Sequence, residues 1–127
     1  MVGAFREDFF IDYIDTEYYL RMKKRGLLSI VACTAFMVHR QGQGNSDTIT
    51  LDYNPLRRYY RTRNGLILIK EYKFVFPLWV LKKIAYACYE YIITFATEKQ
   101  KYPKIKNSLF AIIDVISKKK KRDNLLQ

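Results

Sequence analysis

The three prolines of this chain, Pro55, Pro77 and Pro103, each stand at the head of a long run with helical spacing of its apolar residues. A ring-locked φ and a missing N–H suit the first turn of a helix, where the amide has no intrahelical partner anyway. Asn54-Pro55 supplies a cap and a first residue together and predicts a helix over about 55–73, with Gly65 a weak point inside it. Within it Tyr60, Arg63 and Ile67 share a face that should meet the core. A second run predicts a helix over about 77–97 with a narrow polar stripe of Lys82, Tyr86, Glu90 and Thr94. After Pro103 a further helix puts Ile105, Leu109, Ile112 and Ile116 on one face. Lys118–Lys121 with Arg122 reads as a solvated basic tail, and no internal repeat is present.

Upstream the pattern changes. Residues 1–13 read as a loop leading into an aromatic anchor. Asp15, Thr16 and Glu17 then mark a helix start, because carboxylates suit the positive end of the helix dipole. Gly26 after Arg25 is a good C-cap for that helix. Leu27–Met37 is apolar, short and partly β-branched, which predicts a buried strand ending just before the only histidine, His39. Residues 40–53, rich in Gln, Gly, Asn, Ser, Asp and Thr, predict a loop.

At 127 residues the chain is one domain or part of one, and its 50% apolar content supports a packed core over disorder. A formal charge of +11 calls for a negatively charged neighbour: nucleic acid, anionic lipid or a phosphate-bearing substrate. Cys33 and Cys88 lie in apolar runs without metal-like spacing and read as small buried hydrophobes of a reducing compartment. The acidic, aromatic N-terminus is unlike a signal peptide. Lys82, Lys83 and Glu90 argue against a membrane span over 77–97, since a central Lys costs about 2.5–3.5 kcal/mol on insertion scales.

Three segments carry a resemblance, in order and in spacing. They are Phe9-Phe-Ile-Asp-Tyr-Ile-Asp-Thr-Glu-Tyr-Tyr-Leu-Arg21 with Arg25-Gly26, then His39-Arg-Gln-Gly42, then Asn54-Pro-Leu-Arg-Arg-Tyr-Tyr-Arg-Thr-Arg-Asn64. Together, over about residues 1–115, they resemble bacterial family-2 glycosyltransferases, most closely the rhamnosyltransferases of cell-surface polysaccharide synthesis. The resemblance implies an α/β fold: the C-terminal part of a GT-A-type nucleotide-sugar transferase domain over 1–53, followed by an all-helical extension with a basic tail over 54–127. By position it implies Asp15 as the catalytic base and His39 as a metal ligand. The sequence interval of 24 from one to the other fits one helix and one strand returning to the same cleft.

Inverting sugar transfer needs a carboxylate to take the acceptor hydroxyl's proton and a divalent cation, Mg or Mn, to neutralise the leaving diphosphate. Arg57, Arg63 and Asn64, with Arg61, would hold diphosphate oxygens, since a guanidinium matches that geometry. Asp12, Glu17 and Tyr18 are candidates for acceptor contact, and Asp15 taken alone also reads as a plain N-cap. The resemblance implies as partners a nucleotide-sugar donor, dTDP-rhamnose, and a saccharide or lipid-linked saccharide acceptor. The resemblance covers only the C-terminal portion of such an enzyme, so the family's nucleotide-binding half, with its Asp-x-Asp motif, is expected to be missing here. The remaining cation ligands and full activity are therefore expected to require such a half, encoded separately. The expected place is the cytoplasm, peripheral on the inner face of the plasma membrane, with the basic tail on anionic lipid.

Two other classes compete. A nucleic-acid-binding module would use the Arg57–Arg63 helix and the eleven tyrosines, but leaves the Asp12–Glu17 cluster unexplained. A non-catalytic membrane-surface protein would rest on the 77–97 helix and the basic tail.

Overall fold

Four helices, α1 (Ile14–Lys24), α2 (Pro55–Tyr72), α3 (Pro77–Thr97) and α4 (Lys101–Ile116), carry the fold. The computed structural model describes residues 2–38, 54–97 and 101–117. α2 is the hub: α4 packs along it, α3 meets it through polar side chains, and residues 2–13 with α1 close over its C-terminal half.

Local signals set most helix ends. The Asn54 side chain accepts the Leu56 N–H at 3.1 Å, and Pro55 follows as the first residue of α2. α1 stops at Gly26, whose φ of +72° only glycine adopts without strain. The Gly26 and Leu27 amides donate back to the Lys23 and Met22 carbonyls at 3.0 and 3.1 Å, the Schellman closure of a helix. Pro103 sits in the first turn of α4, where no intrahelical bond is lost.

Two small apolar clusters hold these parts together. Phe9, Leu20, Leu68 and Tyr72 pack the N-terminal segment and α1 onto α2, so the aromatic anchor expected before Tyr13 is Phe9. Tyr59, Tyr60 and Ala111 join α2 to α4. The face predicted to meet the core does so: Tyr60 and Arg63 are buried, and Ile67 packs on the first cluster.

The expected α/β fold is overturned. The described residues hold four helices and no strand, so this is a helical domain and not a GT-A α/β domain. The residues of the predicted strand, Leu27–Met37, lie in irregular backbone with exposed side chains, Phe36 at 96% and Ile30 at 88%. A β-branched run becomes a strand only where a neighbouring strand takes its backbone N–H and C=O groups, and none stands beside it among the described residues. Cys33 and Cys88 are free thiols and exposed, contrary to the burial expected of them. His39, the 40–53 loop and the basic tail lie outside the described residues.

α3 and α4 are turned in an unusual sense. α4 buries Lys104, Ser108 and Asp114 beside Ala111, and the Tyr59 hydroxyl donates to Asp114 at 2.8 Å. α3 turns Glu90, Tyr91 and Thr94 to α2, where they meet Arg61, Thr62 and Arg58. The apolar stripes of both helices face away, with Leu78 75%, Ile92 67% and Ile116 75% exposed. No described helix is long and apolar enough to cross a membrane.

Candidate functional site

The entry into α1 is built on two residues that dislike their backbone. Asp12 and Tyr13 have φ of +60° and +67°, each a conformation costing a residue with a Cβ about 1–3 kcal/mol. Side chains of α2 hold them there. Asn64, fully buried, donates to the Ile11 and Asp12 carbonyls at 2.9 and 3.2 Å. Its own carbonyl oxygen accepts from Arg63, whose Nη1 also donates to the Asp8 carbonyl at 3.2 Å. Arg57 grips the Asp12 carboxylate with two bonds of 3.0 Å, the paired geometry that makes such contacts strong. One helical turn further along α2, Arg61 stands 3.9 Å from the same carboxylate and pairs with Glu90 of α3.

The Tyr13 ring lies against Gly65, where an added Cβ would stand 3.5 Å from the ring. An added Cβ would make ordinary van der Waals contact there, so the ring's approach does not by itself require glycine at this mid-helix position, read from the sequence as a weak point. Lys83 of α3 places its Nζ 4.3 Å from the centre of the same ring, and Arg61 lies 5.7 Å from it. Burial pushes the Tyr13 hydroxyl up to about 12. Desolvation, reinforced by Arg61, pushes the Lys83 amine down to about 8, against the pull of Glu90 and Asp12.

The residues singled out from sequence fall into three groups. Asp15 is the second residue of α1, exposed, and no hydrogen bond or ion pair holds its carboxylate among the described residues. It stands where the first amides of α1 are unpaired and the helix dipole is positive. Asp12, Arg57, Arg63 and Asn64 come together beneath that helix start as its support. Glu17 and Tyr18 point elsewhere. Glu17 is buried on Arg21 at 3.0 Å, and Arg21 also donates to the Val2 and Ala4 carbonyls at 3.2 and 2.8 Å. The Tyr18 ring packs on Phe5 at 4.7 Å. These two clasp the N-terminal segment to α1.

Tyr13, Lys83 and Glu90 were not legible as a set. The one signal for the latter two was their spacing, seven residues apart on one face of an otherwise apolar helix. Among the described residues no group of three or more His, Cys, Asp or Glu side chains comes together as a divalent cation requires. Asp12, the acid nearest the site, is already engaged by Arg57. The described residues therefore do not make a metal site by themselves.

What remains is an exposed carboxylate at a helix start, three residues along the chain from Asp12, which belongs to a cluster in which Arg57, Arg61 and Lys83 outnumber Asp12 and Glu90. Chemically, this suits taking a proton from a hydroxyl close to an anionic group.

Comparison with known proteins bears out the rhamnosyltransferase-like motifs. The chain is similar to the dTDP-rhamnosyl transferase RfbF of Shigella flexneri, 31% identical over 119 residues. The match takes in 91% of this chain and 40% of the relative, so the chain spans well under half of that protein's length. No family model matches. No solved structure matches either.

Proposed function

We propose that this chain is the C-terminal, acceptor-side portion of a rhamnosyltransferase. The observation that carries the reading is the similarity to a rhamnosyl transferase over 119 residues, taken with an exposed carboxylate at the helix start that the resemblance assigns to the base. In this reading Asp15 accepts the proton of a saccharide hydroxyl. The hydroxyl oxygen forms its bond to the anomeric carbon of rhamnose as the bond to the diphosphate breaks on the opposite face, so the configuration inverts. The cationic cluster of Arg57, Arg61 and Lys83 supplies positive potential beside the leaving diphosphate. Arg63 and Asn64, assigned to the diphosphate by resemblance, act in this geometry through the loop they hold. The donor is dTDP-rhamnose, and the donor-binding residues and cation ligands come from a further portion of the enzyme. The acceptor is a saccharide of cell-surface polysaccharide, and the enzyme works peripherally at the inner face of the plasma membrane.

The nucleic-acid reading finds little support, because Arg58, Arg61 and Arg63 are engaged with Thr94, Glu90 and the Asp8 carbonyl inside the protein.

The test is a chimera in which this chain replaces the matching part of the Shigella relative, assayed for deoxythymidine diphosphate released from dTDP-rhamnose with acceptor. Asp15→Asn is expected to lower turnover by about 10²–10⁴-fold, the usual contribution of a general base, with donor affinity little changed. Turnover within a few-fold of the parent chimera would remove Asp15 from the chemistry.

A further inference from the structure

The two helices that leave the site are inside out, and the pattern of their charges is as informative as that of their apolar residues. Between Lys73 and Ser117 the described acids are Glu90 and Asp114, and both face inward, Glu90 onto Arg61 and Asp114 onto Tyr59. Of the lysines in this span, Lys104 is buried and Lys83 lies over Tyr13, but Lys73, Lys82, Lys101 and Lys106 are exposed. Between them runs the outer stripe of α3, through Leu78, Leu81, Ile92 and Phe95, all at least 65% exposed. At 1.5 Å per residue that stripe is about 26 Å long. A lysine lies over the aromatic residue near each end, Lys73 over Phe74 at 4.8 Å and Lys101 over Phe95 at 5.5 Å.

An apolar stripe of that length left in water is costly, and something covers it. A second copy of the chain would bring +11 against +11 across the contact, whereas an anionic lipid surface takes the apolar stripe into its headgroup boundary and pairs the lysines with phosphates. Helices that lie in a bilayer interface have this composition: apolar and aromatic on the buried side, cationic at the margins, carboxylates turned away.

We propose that the outer face of α3, bounded by Lys73, Lys82 and Lys101, is a docking surface for anionic phospholipid, on which the domain lies without spanning the bilayer. It supplies the surface behind the peripheral placement proposed above, and it is independent of the sugar chemistry. Loss of vesicle binding would leave the Asp15 turnover test untouched, and the reverse also holds.

The experiment is co-sedimentation of the full 127-residue chain with vesicles of phosphatidylcholine alone or with added phosphatidylglycerol. Binding is expected on the anionic vesicles and weak on the neutral ones. Ile92→Glu with Phe95→Glu should lower it at least tenfold, although these changes leave the basic tail intact. Lys82→Glu with Lys101→Glu should also lower it at least tenfold, since each basic residue near such a surface is worth about fivefold. As all four side chains are exposed, circular dichroism should show helicity unchanged. A fluorophore on Cys88, itself exposed on α3, in a Cys33→Ser chain should shift to the blue on anionic vesicles.

Binding that survives both paired substitutions would assign the affinity to the tail and overturn the proposal. So would a dimer in solution that the Ile92 and Phe95 changes dissolve, because the face would then belong to a second copy.

Discussion

The start of α1 and the outer side of α3 draw on the same helix and use it in opposite ways. At the start of α1, side chains of α2 reach out to fix another segment's backbone: Asn64 and Arg63 bond main-chain carbonyls, and Arg57 holds a carboxylate. At α3 the same helix draws polar groups in, with Arg58 and Arg61 taking Thr94 and Glu90, and leaves the apolar residues outside. Position in this domain is therefore set by buried polar contacts, with apolar packing confined to two small clusters. A carboxylate at a hydrogen-bonded helix start is held to a definite place. A stripe of leucine and isoleucine facing outward is packed on nothing among the described residues and is available to a partner.

The largest effect that would break this comparison is expected in the cluster that seats α1. Leu68, fully buried against Phe9, Leu20 and Tyr72, should cost about 2–5 kcal/mol of unfolding free energy on change to Ala, measured by denaturant titration. A loss under 1 kcal/mol would mean that apolar packing contributes little even here.

A smaller, pH-dependent effect is expected from Lys83. Its amine titrates near 8 in the fold against an ordinary value of 10.5, so the unfolded chain binds the proton more readily. Stability should therefore rise as pH increases from about 8 toward 9.5. Above pH 10 Tyr13 acts in the other direction, because the fold keeps its hydroxyl protonated to about 12. Denaturation midpoints at pH 7.5 and 9.5 should show the rise, and Lys83→Met should flatten it. An equal rise in the variant would place the titrating group elsewhere.

The smallest effect belongs to the outer face. Ile92→Gln should change stability by no more than about 0.5 kcal/mol, as for a surface position. A loss above 2 kcal/mol would show that this face is packed, and the contrast between the two regions would fail.

Much of this was legible where the signal is local. Asn54-Pro55 and Gly26 set helix ends by capping, which needs no distant partner. The Tyr60, Arg63 and Ile67 face was legible because i, i+3 and i+7 positions coincide on any helix. The direction of the α3 and α4 stripes was not, because periodicity identifies faces and not which one is inward. That choice was made by α2, whose Arg58, Arg61 and Thr62 offered polar partners. The strand expected over Leu27–Met37 failed for a related reason: residue type favours extended backbone, but only a neighbouring strand makes a sheet. At the candidate site, the helix start that carries Asp15 was legible from the sequence and its role as base came only from the resemblance, whereas Tyr13 and Lys83 come from separate segments and left no mark in the order of residues.

The central claim is that polar side chains of α2, Asn64 above all, hold the strained entry that aims Asp15. Its most direct test is amide hydrogen exchange at Glu17, whose N–H bonds the Tyr13 carbonyl at 2.9 Å in the first turn of α1. The Ser117 amide on the Ile113 carbonyl at the end of α4 serves as the internal reference. Asn64→Ala leaves the Ile11 and Asp12 carbonyls without their donor, a loss of about 1–3 kcal/mol for buried groups. Protection at Glu17 should fall at least tenfold while that at Ser117 stays within twofold. Equal loss at both amides, or none at either, would contradict the claim that Asn64 fixes this helix start.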